Sequence, residues 1–324
     1  MSAKPRVTVI VPLHRDTPAF RRCVSAVRSL PGEDHELIVV SDTRIDDLPD
    51  DVRIVVTGAN TDTSPAEKRD AAVAVAGGEV LAFLDDDAYP ASDWLERALA
   101  RFEDPVIDAV GGPGITPPQS PFRERASGAF YESLFGSGGL RARFRPSGET
   151  RPVDDWPAYN LLIRRNALEA VGGWASRFYG GEDTKLCLAL RDAGFKIVYD
   201  PSVLVYHHRR PIFGPHLRQV GNVGRHRGYF VRKFSGTSAR PTYFLPAAAL
   251  VIGLAALPWI ARRPGRRRAA LFGALGLSAA VSATAVLEGE DGSVAAVLPV
   301  VVVASHTVYG AQFLRGLATP TLSR

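Results

Sequence analysis

Three consecutive aspartates, Asp85-Asp86-Asp87, follow directly on the apolar run Val80-Leu81-Ala82-Phe83-Leu84. Asp85 and Asp87 are two positions apart, so an extended chain points both carboxylates the same way. Converging carboxylates repel each other unless a cation lies between them. Hard divalent ions such as Mg²⁺ or Mn²⁺ take oxygen ligands and often bridge to substrate phosphates, where they neutralise charge developing on a departing diphosphate. A second acidic pair, Glu182-Asp183, follows Gly180-Gly181. Glycines let backbone approach a ligand closely. A carboxylate raised towards neutrality by partial burial can take a proton from an attacking hydroxyl. Taken alone, each group also has a plainer reading, as a ligand-free acidic turn and as a favourable first helical turn.

The elements that would position these groups alternate. β-Branched runs over 6–13, 35–42, 51–58 and 79–84 predict strands, each bounded by Pro, Asp or Gly. A helix is predicted over 18–30, and a second begins at Pro65, with Ser64 as N-cap and Glu67 as capping-box partner. A third, after the aspartates, has Ser92 as its predicted cap. Strand–helix alternation favours a mostly parallel sheet covered on both faces. Such sheets bind ligands at the carboxyl ends of their strands, which puts Pro12, Leu13, His14, Asp42 and the three aspartates on one rim. The Gly-, Pro- and Arg-rich stretch 111–150 predicts a loop or lid around a short helix over 121–135.

The composition narrows the function classes. The chain has 324 residues, a formal charge of +5 and two cysteines, Cys23 and Cys187, outside any C-x-x-C pair. This argues against a disulfide scaffold or zinc site and fits a reducing compartment. There is no P-loop, no H-E-x-x-H, and no glycine in the turn after the first strand, which removes the dinucleotide fingerprint. The N-terminus is too short in apolar residues for a secretory signal. Stretches 242–261, 269–287 and 294–314 carry no charged residue and are long enough to cross a ~30 Å hydrocarbon core as helices. Before them, residues 211–241 interleave basic and aromatic residues, the composition of a segment lying on an anionic bilayer. Nucleic acid as a partner is excluded, because this segment runs straight into a hydrophobic span. Five basic residues precede the first span (Arg225, Arg227, Arg232, Lys233 and Arg240) and five follow it (Arg262, Arg263, Arg266, Arg267 and Arg268), so the positive-inside rule conflicts with one complete crossing.

Five ordered motifs resemble the inverting family-2 glycosyltransferases: "VIVPLHRD", "IVVSD", "AEKRDAAVAVAGGEVLAFLDDDA", "VGGW" and "GGEDTKL", all within residues 5–210. The resemblance implies an α/β, Rossmann-like GT-A domain over 1–210 that uses a nucleoside-diphosphate sugar, with a UDP-sugar as donor by family habit. A basic interfacial segment (211–241) and an α-helical transmembrane region (242–324) would follow. It implies that Pro12, His14 and Asp42 border the nucleotide, with Arg69, Asp85, Asp86 and Asn160 also on the donor. Asp85 and Asp87, with His207 or His208, would hold a divalent cation. Asp183 would be the base, with Glu182 orienting or binding the acceptor, and Trp174 and Tyr179 could stack on a sugar ring. Two departures stand out: Arg69-Asp70 where the family has Arg-Asn, and Lys185 where it often has an acid. The processive Gln-x-x-Arg-Trp motif is missing from the region of Gln219 and Arg225. The expected protein is a multi-pass enzyme of the inner cell membrane, with its catalytic domain in the cytosol and a lipid-linked or glycan acceptor. Two other readings stay open: a polyprenyl-phosphate monosaccharide synthase, and a non-catalytic membrane scaffold.

Overall fold

A computed structural model describes residues 7–32, 35–58, 63–176, 178 and 180–322. In chain order come β1 (Val7–Pro12), α1 (Pro18–Arg28), β2 (His35–Ser41), β3 (Val52–Val56), α2 (Pro65–Val73), β4 (Val80–Phe83), β5 (Ala88–Pro90) and α3 (Trp94–Phe102). Next are β6 (Ala109–Gly111), β7 (Gly114–Ile115), α4 (Phe122–Glu132), α5 (Leu134–Ser137), β8 (Arg151–Pro152), β9 (Leu161–Arg164), α6 (Arg165–Ala170) and α7 (Glu182–Asp192). The last are β10 (Ile197–Tyr199), β11 (Val205–His207), α8 (Gly214–Lys233), α9 (Ser235–Ser238), α10 (Pro241–Ala261), α11 (Pro264–Leu287) and α12 (Gly292–Ala318). These form two compact units, one of residues up to 115 with 142–208, the other of 116–141 with 209–322.

The first unit is built on a sheet in the order β3-β2-β1-β4-β9-β6-β10-β8. Strands β1 to β4 are mutually parallel, with Val7 opposite both His35 and Val80, while β9 runs antiparallel between β4 and β6. Alternate residues of β1 enter different cores. Val7, Val9 and Val11 pack with Phe20, Val27 and Trp94, whereas Ile10 packs with Leu81, Phe83 and Leu186. This is why β1 reads as a continuous apolar run: both faces are covered. Each such side chain contributes about 1.5–3 kcal/mol on burial. A small second sheet, β5-β11-β7, sets Tyr89 of β5 against Tyr206 of β11 with ring centroids 4.9 Å apart.

Local signals set the helix starts. Thr17 caps α1, and Ser64 and Glu67 form the reciprocal capping box at α2, with bonds of 3.3 and 2.8 Å. At α3 the expectation fails. The N-cap is Asp93, not Ser92, and it makes no side-chain cap bond because its carboxylate is turned to Arg97 at 3.2 Å.

In the second unit, the helix expected over 121–135 is present as α4 and α5, and it is packed into a core. Ala126, Ala129 and Phe130 of α4 are buried with Val220 of α8 and Leu298 and Val301 of α12. The small and aromatic residues of α4 supply a packing face, so the helix is anchored and not a loose lid element. Helix α8, expected as an interfacial segment, lies backbone to backbone on α12: a Cβ on Gly224 would sit 2.6 Å from the Tyr309 carbonyl oxygen. Three helices, α10, α11 and α12, are long and apolar enough to cross a membrane.

Candidate active site

The carboxyl ends of β1, β2 and β4 bring the acidic residues onto one rim. At β2, Asp42 accepts from Thr57 Oγ1 at 2.7 Å and pairs with Lys68 Nζ of α2 at 2.8 Å. Burial raises the Asp42 pKa, but the bonds from Lys68, Thr63 and Thr57 outweigh it, and the carboxyl ends below its ordinary value. Lys68 also donates to the Leu13 carbonyl at 2.7 Å, which ties the end of β1 to the same point. Pro12, the last residue of β1, is buried opposite Val40. His14 is exposed, and its backbone N–H donates to Asp86 Oδ2 at 3.0 Å.

Asp85, Asp87 and His207 converge, with one ligand atom from each lying within 4.8 Å of the others. His207, at the end of β11, places Nε2 3.0 Å from Asp87 Oδ1. His208 turns elsewhere: its backbone N–H donates to the Asp87 carbonyl at 2.9 Å, and its ring lies 6.1 Å from that of Tyr89. Two carboxylates and one imidazole form a donor set suited to a divalent ion such as Mn²⁺ or Mg²⁺. Burial pushes the Asp85 pKa up; Arg69 and His207 oppose the rise, while Asp87 and Asp183 add to it. A cation among these carboxylates would relieve that mutual repulsion, so the residues fit the group.

Arg69 of α2 joins this cluster to α7. Its guanidinium is buried, 2.8 Å from Asp85 Oδ1 and 3.2 Å from Glu182 Oε1, and it lies 4.5 Å over the Trp174 ring. Its Nε–H is buried without a partner among the described residues. Gly180 and Gly181, at φ of 106° and 78°, turn the chain into α7 through the left-handed region that favours glycine. The Gly180 N–H then meets Glu182 Oε2 at 2.9 Å. Burial and the neighbouring Asp183 raise the Glu182 pKa against the pull of Arg69. Asp183 is half-buried, accepts from the Thr184 N–H at 2.7 Å, and makes no ion pair among the described residues.

Asn160 is not at this rim. It is fully buried, accepting from Trp94 Nε1 at 2.8 Å and donating to the carbonyls of Val203 (2.7 Å) and Pro113 (3.3 Å). Both its N–H groups are spent on the fold. Trp174 is only 1% exposed and meets Phe83 edge-on at 4.9 Å, so its ring faces the core and Arg69 and is not open to a sugar. Tyr179 lies outside the described residues. The two departures have structural roles. Asp70 accepts the N–H groups of Trp174 (2.8 Å) and Ala175 (3.1 Å), and Lys185 donates to the Ala175 carbonyl. Sequence reasoning missed Lys68, whose signal was its place beside Arg69 on the same helix.

Comparison with known proteins agrees with this geometry. Residues 8–172, just over half of the 324, match the family described as Glycosyl transferase family 2. The chain is 32% identical over 213 residues to the Pre-mycofactocin glycosyltransferase of Mycobacterium tuberculosis, a stretch covering 63% of this chain and 43% of that protein. It is 26% identical over 238 residues to Glycosyltransferase AglE of Haloferax volcanii, covering 69% of this chain and 73% of that one. It thus spans less than half the length of the mycobacterial relative. In fold it resembles the mannosyltransferase PcManGT from Pyrobaculum calidifontis, solved with GDP-Man and Mn²⁺, at a TM-score of 0.59 and 20% identity, covering 94% of this chain and 86% of that one. With an α/β GT-A core, an Asp-Asp-His cluster at its strand ends and a matching family pattern over half its length, the chain belongs to glycosyl transferase family 2.

Proposed function

We propose that this protein is a membrane-bound, inverting glycosyltransferase that moves a sugar from a nucleoside-diphosphate donor to a membrane-presented acceptor, either lipid-linked or a glycan. The observation that carries it is the chain of contacts Asp87–His207, Asp85–Arg69 and Arg69–Glu182, which links a cation-type cluster to the acidic head of α7. The transferase work falls within residues 1–210, and the apolar helices beyond hold the chain to a cell membrane. Nucleotide sugars are cytosolic, so the catalytic domain is on that side.

The residues divide the work. Asp42, fixed by Lys68 and Thr57, borders the nucleotide together with Pro12, His14 and Asp86. Asp85, Asp87 and His207 would hold a divalent ion, which when bound neutralises the charge of the leaving diphosphate. Arg69 keeps Asp85 and Glu182 in register, and Asn160 serves the fold beneath them by holding Trp94 and the Val203 carbonyl. Asp183 takes the proton from the acceptor hydroxyl as that oxygen bonds the anomeric carbon and the bond to the diphosphate breaks. Direct displacement inverts the anomeric centre.

The test is isothermal titration of the detergent-purified protein with UDP, GDP and dTDP, each with Mn²⁺ and with EDTA, beside Asp87→Ala. Cation-dependent binding of one nucleotide, lost in the variant, supports the reading and names the base. Folded protein that binds none of them leaves a non-catalytic scaffold.

A further inference from the structure

Helix α12 meets polar partners at both ends and at its middle. Its 27 residues extend for about 40 Å. At the N-terminal end its cap, Asp291, pairs with Arg125 of α4 at 2.5 Å, and Glu288 just before it pairs with Arg141 at 3.0 Å. Midway, the buried His216 of α8 bridges Ser127 of α4 and Ser305 of α12 at 2.8 Å each, and His306 Nε2 meets the Phe135 carbonyl at 2.6 Å. At the C-terminal end, Arg232 of α8 donates to the Leu317 carbonyl at 2.9 Å. From Asp291 to Ser305 is roughly 21 Å, and from Ser305 to Leu317 roughly 18 Å, at 1.5 Å per residue. A ~30 Å hydrocarbon core would enclose the His216–Ser305 and His306–Phe135 contacts, which are tolerated there only as pairs held between helices.

The neighbours make a crossing costlier still. Over its second half α12 is flanked by α8, so closely that a Cβ on Gly228 would lie 2.0 Å from the Phe313 carbonyl oxygen. The outward residues of α8 include Arg218, Gln219, Asn222, Arg232 and Lys233, all exposed. If α12 crossed a bilayer, α8 would carry most of these into hydrocarbon, where charged side chains are rare and expensive. The free surface of α12 is instead an apolar stripe, Ala296, Val300, Val303, Thr307, Ala311 and Leu314, spaced three or four apart and uncharged until the exposed Arg315 in the last turn. The other two apolar helices differ. α10 is buried only at Tyr243 and Ala247 and α11 only at Val281 and Ala285, where each meets α12; beyond those turns both are open all round, and apolar except for Arg266, Arg267 and Arg268 in the first turn of α11.

We infer that α12 lies in the plane of one membrane face and does not cross the bilayer. Its apolar stripe rests at the boundary between lipid headgroups and acyl chains. Only α10 and α11 enter the hydrocarbon, as a hairpin whose base sits on α12. The α4–α8 layer stays at the headgroups, where Arg218, Arg232 and Lys233 favour anionic lipid. Both ends of α12 therefore lie on the same side of the membrane.

Variants Glu290→Cys and Thr321→Cys of the full chain, each adding one cysteine, in membranes of one orientation, test this with a membrane-impermeant maleimide; Cys23 and Cys187 are buried, and the unmodified chain gives their background. Both positions are expected to label from one side and stay dark from the other. Labelling from opposite sides overturns the proposal. A second reading uses bimane on Cys replacing Ala296, Val303 or Leu314, with quenchers at shallow and deep acyl positions. A helix in the membrane plane shows the same shallow depth at all three. A maximum depth at Val303 means that α12 crosses.

Discussion

Arg69 and Glu182, 113 positions apart in sequence, are joined side chain to side chain at 3.2 Å, and the same guanidinium holds Asp85 at 2.8 Å. One planar, forked cation thus sets the spacing between the acidic turn after β4 and the first turn of α7. Removing it leaves Glu182 buried without its counter-charge, and breaking a buried pair typically costs about 3 kcal/mol or more. Arg69→Met is therefore expected to lower unfolding free energy by about 3 kcal/mol and to cut kcat/KM. Arg69→Lys should not restore either, because an ammonium lacks the fork that spans both carboxylates. Urea titration and steady-state kinetics read the two effects; wild-type behaviour in the lysine variant would refute the bridging role.

Asp183 is the carboxylate of the α7 head that carries no ion pair among the described residues. As general base it should contribute about 10²–10⁴-fold. Asp183→Asn is expected to reduce kcat by that order while leaving nucleotide affinity unchanged in titration. A protein that transfers to a phosphate, which needs no base, would lose only a little. The size of the loss therefore distinguishes a hydroxyl acceptor from a polyprenyl phosphate.

Asn160 offers a sharper separation of fold from function. Its truncation to alanine leaves the Trp94 indole N–H and the Val203 carbonyl buried without partners, each costing about 1–3 kcal/mol. Asn160→Ala should lower Tm markedly while the folded fraction keeps its donor KM. An unchanged Tm with a raised KM would make Asn160 a donor contact.

Burial lowers the pKa of His216 to about 4, so the folded protein holds this imidazole neutral between Ser127 and Ser305, with the rings of Phe130 and Tyr131 beside it. The unfolded chain binds a proton near 6.5. Stability is thus complete above pH 6.5 and falls as pH drops towards 4, by up to about 3 kcal/mol at 1.36 kcal/mol per unit. Thermal melts in detergent from pH 8 to pH 4 should show the decline, and His216→Gln should flatten it. Parallel curves for the two proteins would mean that His216 does not drive it.

The α8–α12 contact depends on glycine. Gly228→Ala forces a methyl group against backbone and is expected to lower Tm by several degrees, in the range of an overpacked core at about 1–3 kcal/mol. Gly253→Ala in α10, where nothing lies within 4 Å, should be neutral or slightly stabilising. Equal effects at both positions would mean the close approach of α8 and α12 is not maintained in solution.

Much of this protein was determined by local chemistry. Continuous apolar strands, capped helix starts and the Asp-Asp-Asp turn follow from short-range preferences, so the strand–helix order, the acidic rim and the apolar helices were legible before any coordinates. What remained depended on partners distant in sequence. Whether a buried amide serves the fold or a ligand is decided by the donors and acceptors packed around it, which is why Asn160 became a core clamp and Trp174 a floor beneath Arg69. Ser92 lost its capping role to a neighbour, and the short helix expected within a loop or lid is instead packed, because α8 and α12 offer it a surface. Hydropathy sees only the residues of a helix, not what lies beside it, so α10, α11 and α12 look alike in sequence. The polar side chains of α4 and α8 along α12 set it apart, and only the tertiary structure brings them there.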